Sequence, residues 1–162
     1  MKLFVIIKKT IMLGIFAGFF SGLCPAAGPA GAETFKVASY NVENLFDMQN
    51  GGTEYTGYIP HGKAGWDQRM LDIKLANLRR VIRDLSADVI GLQEVESKAA
   101  LAALQVGLAE GGNGYPYTAI ASGRSTVRCA LLSRYPILSS GDIRVPGGAD
   151  RCILRAVVDI SG

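Results

Sequence analysis

Polar and apolar positions alternate first over Phe35 to Val42, where Phe35, Val37, Ser39 and Asn41 share one face at the period of two that marks a strand. A second strand is predicted over Val89 to Val95, apolar until it meets Gln93-Glu94. Between them the period lengthens. From Trp66 onward Leu71, Leu75, Leu78, Ile82 and Leu85 recur at helical spacing, with Arg69, Asp72, Lys74, Arg79, Arg80 and Arg83 mostly off that stripe. This is a sheet-covering helix whose arginines form a solvated outer face or meet a polyanion. Ser86-Ala87-Asp88 turns the chain into the second strand, so strand, helix and strand make one crossover unit of the α/β kind. The stretch from Met48 to Gly65, with its glycines, Pro60 and no sustained period, is a long loop.

Downstream, Ser97 is placed to cap a second helix over Lys98 to Glu110, stopped by Gly111-Gly112-Asn113-Gly114. The remainder reads as β: Thr118 to Ala121, Val127 to Ser133, Ile143 to Val145 and Ile153 to Ile160. Turn signals at Tyr135-Pro136, Ser139-Ser140-Gly141 and Pro146-Gly147-Gly148 separate these strands.

The amino terminus follows a different logic. Lys2, Lys8 and Lys9 precede the apolar run Ile11 to Leu23, too short to span a bilayer comfortably, and small residues lead to Ala30-Gly31-Ala32. This pattern predicts an export signal over residues 1–32 and a mature chain of 33–162, secreted or periplasmic, with no membrane span after cleavage. A lipid anchor at Cys24 is disfavoured by the bulky Leu23 before it. Residues 1–32 hold three of the 17 Lys+Arg and none of the 14 Asp+Glu, so their removal leaves the charges balanced. With no basic stripe interleaved with aromatics, a purely electrostatic nucleic-acid binder has no support. Cys129 and Cys152 remain in a compartment that permits disulfides; they either pair or serve as small buried hydrophobes.

The chemistry concentrates where the first two strands end. Asn41 and Glu94 are oxygen donors on neighbouring rigid strands, a combination that suits Mg²⁺; equally, Asn41 can start a turn and Glu94 can cap a helix. The longer text separates these alternatives. Ser39-Tyr40-Asn41-Val42-Glu43-Asn44-Leu45-Phe46-Asp47 followed by Asp88-Val89-Ile90-Gly91-Leu92-Gln93-Glu94-Val95 resembles the endonuclease/exonuclease/phosphatase superfamily, and Ala130-Leu131-Leu132-Ser133-Arg134-Tyr135-Pro136-Ile137 is similar to a further strand of it.

The resemblance implies an α/β fold, part of a four-layer α/β/β/α sandwich in which two sheets pack face to face. It also implies an Mg²⁺- or Mn²⁺-dependent phosphoesterase acting on a phosphodiester substrate, with nucleic acid one candidate. Glu94 would ligate the metal, and Asn41 would hold the scissile phosphate or a metal-bound water. Glu43 and Asn44 are second choices, and Gln93 is expected to point away from Glu94. Arg124 and Arg128 either meet phosphate oxygens or are ordinary solvated arginines. The family's later motifs, a His, a Gly-Asp-x-Asn segment and an Asp-His pair, are not found, and the single histidine, His61, lies in the long loop outside any motif. The chain therefore reads as an amino-terminal half, inactive alone, with apolar sheet faces left uncovered and prone to self-association. The alternative is a non-catalytic remnant or secreted binding module of the same fold.

Overall fold

The computed structural model describes residues 3–8, 34–109, 114–144 and 152–161, with the backbone alone for 3–8 and 152. The expected glycine stop at 111–113 and the Pro146 turn lie outside the described residues, as does most of the expected export signal. The element order is β1 (Leu3–Lys8), β2 (Val37–Leu45), α1 (Gln68–Leu85), β3 (Val89–Val95), α2 (Lys98–Ala109), β4 (Tyr117–Ile120), β5 (Arg128–Ser133), β6 (Ile137–Arg144) and β7 (Cys152–Asp159).

Two sheets result. One runs β2-β3-β5-β4, with β2 and β3 parallel across the α1 crossover and the remaining neighbours antiparallel. The other runs β1-β7-β6. Strand β5 shows why they stack. Its sequence is apolar at successive positions, which only a strand covered on both faces favours. Ala130 and Leu132 join Ile90 and Leu92 under the helical residues Leu71, Leu75, Leu78, Ile82, Leu101 and Leu104. Cys129 and Leu131 face the other way, with Val89 and Ala119, onto Leu154, Ala156 and Val158 of β7. Helices, sheet and sheet form three successive layers of the mixed α/β fold. The second sheet covers the face of Val127–Ser133 and Ile153–Ile160 that the sequence left open to water, and this corrects that expectation.

The cover does not extend to β2. Val37 on its inner face is 53% exposed, and Ser39 and Asn41 beside it are exposed too. The alternate residues Ala38 and Tyr40 pack on the helical core.

Helix α1 starts at Gln68 rather than Trp66 because Asp67, in extended conformation, caps it, its Oδ1 accepting from Met70 N at 2.8 Å. Leu71, Leu75, Leu78 and Ile82 are buried, but Leu85 in the last turn is 41% exposed. Two of the arginines do neither job foreseen for them. Arg79 Nη2 donates to Ala103 O and Arg83 Nη2 to Gly107 O, each at 2.6 Å, which clasps α1 to α2. Gly107 leaves room for this clasp: a Cβ there would lie 2.2 Å from the Arg79 guanidinium carbon.

Strand β6 departs most from expectation. Ser139-Ser140-Gly141, read as a turn, lies inside a strand paired with β7, and β6 begins at Ile137 rather than Ile143. The strand is an edge, exposed along most of its length, so nothing selects for an apolar period there. Strand β1 pairs in parallel with the other edge of β7, Leu3 opposite Leu154 through Lys8 opposite Asp159, and lies within the segment expected to be exported and removed.

Candidate functional site

At the carboxyl ends of β2 and β3 both strands break their regular register, β2 between Asn41 and Leu45 and β3, against β5, between Leu92 and Val95. The breaks coincide with non-glycine residues in the left-handed region: Glu43 (φ 51°), Asn44 (φ 64°) and Glu94 (φ 68°). Such residues are held only where the surrounding structure over-determines them, and they re-aim side chains. Here the effect is direct. In a regular strand Gln93 and Glu94 would point to opposite faces, as the sequence predicted. Instead Gln93 Nε2 donates to Ser39 Oγ at 3.1 Å while Glu94 Oε1 accepts from Asn41 Nδ2 at 3.0 Å, so both reach residues of the same β2 face.

The orientation of the Asn41 amide is set by its other contact. Its Oδ1 accepts from Glu43 N at 2.8 Å, which leaves the NH₂ group to face Glu94. Asn41 therefore acts as a spacer that holds the Glu94 carboxylate, with one N–H still available, rather than as a bare carbonyl ligand. Among the described residues nothing is hydrogen-bonded to Glu94 Oε2, and that oxygen is the one that can take a cation. A single oriented carboxylate fits Mg²⁺, which keeps several waters and takes only one or two carboxylates from a protein. No three His, Cys, Asp or Glu side chains gather as a ready-made cage among the described residues.

A third participant comes from α1. Lys74 Nζ donates to Glu43 O at 3.0 Å. Burial pushes the Lys74 ammonium below its ordinary value, opposed by the neighbouring charges of Glu43 and Glu94. The sequence placed Lys74 on the outer face of the helix, and helical spacing carries no signal that would have found this contact.

Behind the pair lies a second, buried acidic centre that the sequence also missed. Asp47 and Glu96 are 8% and 7% exposed. Glu96 Oε2 accepts from Asp47 N at 3.0 Å, Asp47 Oδ2 accepts from Ser97 Oγ at 2.6 Å, and Asp47 Oδ1 accepts from Gln49 N at 2.6 Å. Burial raises the Glu96 carboxyl to about 7, with the like charges of Asp47 and Glu54 adding to it and the Asp47 N–H and Arg128 opposing it. Trp66 Nε1 donates to Asp47 O at 3.3 Å, and Phe46 stacks on Tyr58 at 4.5 Å, so the long loop is tied down by its aromatics. Asp47 lies between the apolar Phe46 and Met48, but Glu96 has Ser97 beside it, so the sequence carries no sign of the pair.

Of the remaining candidates, Arg128 stands opposite Val95 in the register of β5 and β3. Arg124 is exposed. Arg128 is half-buried, its Nε shielded from solvent, and its charge acts on Glu96; no hydrogen bond joins either arginine to Asn41 or Glu94 among the described residues. His61 is exposed in the loop, its backbone N–H bonded to Trp66 O. Cys129 is buried in β5, and the side chain of Cys152 lies outside the described residues.

Residues 36–138, from the strand entering the site to the start of β6, match the sequence profile of the Endonuclease/Exonuclease/phosphatase family. The chain belongs to this family. No curated protein and no solved structure gives a significant match. Endonuclease/exonuclease/phosphatase domains are hydrolases of the phosphoesterase and nuclease type, generally dependent on a divalent metal, and the matched stretch contains both strand ends of the site. No helix among the described residues is long and apolar enough to cross a membrane.

Proposed function

We propose that the chain is a phosphoesterase domain that hydrolyses phosphodiester bonds with Mg²⁺ or Mn²⁺ held by Glu94, and that residues 1–32 direct it to the periplasm or the exterior. The observation that supports this reading best is the Asn41–Glu94 hydrogen bond at two broken strand ends, inside a stretch that matches the family. A divalent ion bound there would polarise the phosphoryl oxygens and neutralise developing charge. The chain's own part is to orient. Asn41 fixes one Glu94 oxygen and frees the other for the cation, and its second amide N–H is a donor for a phosphate oxygen. Arg124, in the loop before β5, and Arg128 would add cationic attraction for the substrate.

A second reading keeps the binding and drops the chemistry: a module that holds a metal and a phosphodiester without turnover. It is favoured by the single histidine, His61, standing exposed in the loop between β2 and α1, outside any motif of the family. One experiment separates the two. Mg²⁺ binding is followed by calorimetry, and release of nitrophenol from bis(p-nitrophenyl) phosphate is followed in parallel, for the native chain and Glu94→Ala. Metal-dependent turnover that falls on the order of 100-fold in Glu94→Ala supports the hydrolase. Metal binding lost in Glu94→Ala without turnover in either protein supports the binding module. A variant that binds Mg²⁺ like the native chain sinks both.

A further inference from the structure

The hydrogen bonds of the site form one continuous line: Lys74 Nζ to Glu43 O, Glu43 N to Asn41 Oδ1, and Asn41 Nδ2 to Glu94 Oε1. Two of the three links use the Glu43 backbone, and Glu43, Asn44 and Glu94 all adopt left-handed conformations. For residues with a Cβ this conformation is strained, so something outside the turn must hold it. Within the line only Lys74 comes from a different layer, the helix α1, whose buried face anchors it to the core. Lys74 is also the cation whose field is coupled to both Glu43 and Glu94.

The geometry points to Lys74 as a positioning residue of this site: its ammonium pins the Glu43 carbonyl so that Asn41 and Glu94 stay assembled before a cation arrives, and its charge stands where the cation's will act. This inference rests on the assignment of Glu94 as the cation ligand. It assigns Lys74 two separable effects. The pin preorganises the turn, which lowers what binding must spend on ordering it. The charge opposes the incoming cation, since two positive charges near one carboxylate repel each other. Lys74 therefore holds the corner ready while keeping its affinity for the metal modest.

The test uses the whole chain and two readouts, hydrogen exchange at the Glu43 amide without metal and Mg²⁺ affinity by calorimetry. In Lys74→Met the Glu43 N–H is expected to exchange on the order of tenfold faster. The same variant is expected to bind Mg²⁺ about three- to tenfold more tightly, because the loss of the opposing charge outweighs the loss of the pin. Lys74→Arg, which keeps charge and donor, should return both to the native values. A pin without the opposing charge would speed the exchange and weaken Mg²⁺ binding. Unchanged or weaker Mg²⁺ binding in Lys74→Met, with Glu94→Ala losing the metal, overturns the role of Lys74 and leaves Glu94 standing. Native-like Mg²⁺ binding in Glu94→Ala removes the foundation of both. If the methionine variant does not fold, Lys74→Gln, which keeps an amide donor without charge, carries the affinity comparison.

Discussion

Among single residues, Glu96 carries the clearest dependence on pH. Its carboxyl is raised from 4.5 to about 7, first by burial, so the folded chain prefers it protonated. The sign follows from linkage: a group whose folded value lies above its unfolded one stabilises the fold fully below the unfolded value and loses that contribution as pH rises through the folded one. Stability should therefore fall between about pH 4.5 and about 7, by an amount on the order of 3 kcal/mol at most for a shift of this size. Glu96→Gln keeps an oxygen to accept from Asp47 N and cannot ionise. The difference in melting temperature between the native chain and Glu96→Gln should open across this window in favour of the variant, and parallel profiles would show that Glu96 stays ionised in the fold. The sequence placed Asn41 and Glu94 at adjoining strand ends, because the motif text fixes identity and position. It gave no warning of Lys74 or of the Asp47–Glu96 centre. Those contacts depend on where two broken strand ends and a helix meet, and alternation along a regular strand assigns Gln93 and Glu94 to opposite faces when the left-handed turn at Glu94 brings them together.

The elements were legible wherever one face is buried and blurred wherever none is. Helix α1 announces itself through Leu71, Leu75, Leu78 and Ile82, whereas β6 hides behind Ser139-Ser140-Gly141 because an exposed edge strand shows no period. Helix starts offer a quantitative comparison. Asp67 caps α1 through one bond, to Met70 N, from a half-buried position. Ser97 caps α2 by accepting from Ala100 N at 2.9 Å and also donates to the buried Asp47 carboxylate at 2.6 Å. Loss of a cap costs about 1 kcal/mol. Loss of a donor to a buried charged acceptor costs roughly 1–3 kcal/mol more. In urea unfolding, Asp67→Ala is thus expected to destabilise by about 1 kcal/mol and Ser97→Ala by about 2–4 kcal/mol. Equal losses would mean that the Ser97–Asp47 bond adds nothing to the cap. Since α2 begins where the buried acidic centre ends, this bond also ties the helix to the loop leaving the site.

For the whole molecule the decisive feature is the outer edge of β7. Its inner face is buried by β5 and one edge is paired with β6; the other edge is occupied by β1, which lies within the segment proposed to direct export. Removing residues 1–32 strips this partner away. A paired interior strand becomes an edge presenting unpaired N–H and C=O groups, in a fold whose β2 face is already uncovered, Val37 being 53% exposed. An edge of this kind is relieved by adding a strand, and in a pure solution the available strand belongs to a second copy. The chain of residues 33–162 is therefore expected to sediment as a dimer or larger species in proportions that rise with concentration, and to melt at a lower temperature than the chain retaining residues 1–32. Sedimentation velocity and a thermal scan of the two forms side by side decide the matter. A monodisperse monomer of 33–162 with an unchanged melting temperature would mean that β1 contributes no more than any terminal strand, and that the fold closes its second sheet with β6 and β7 alone.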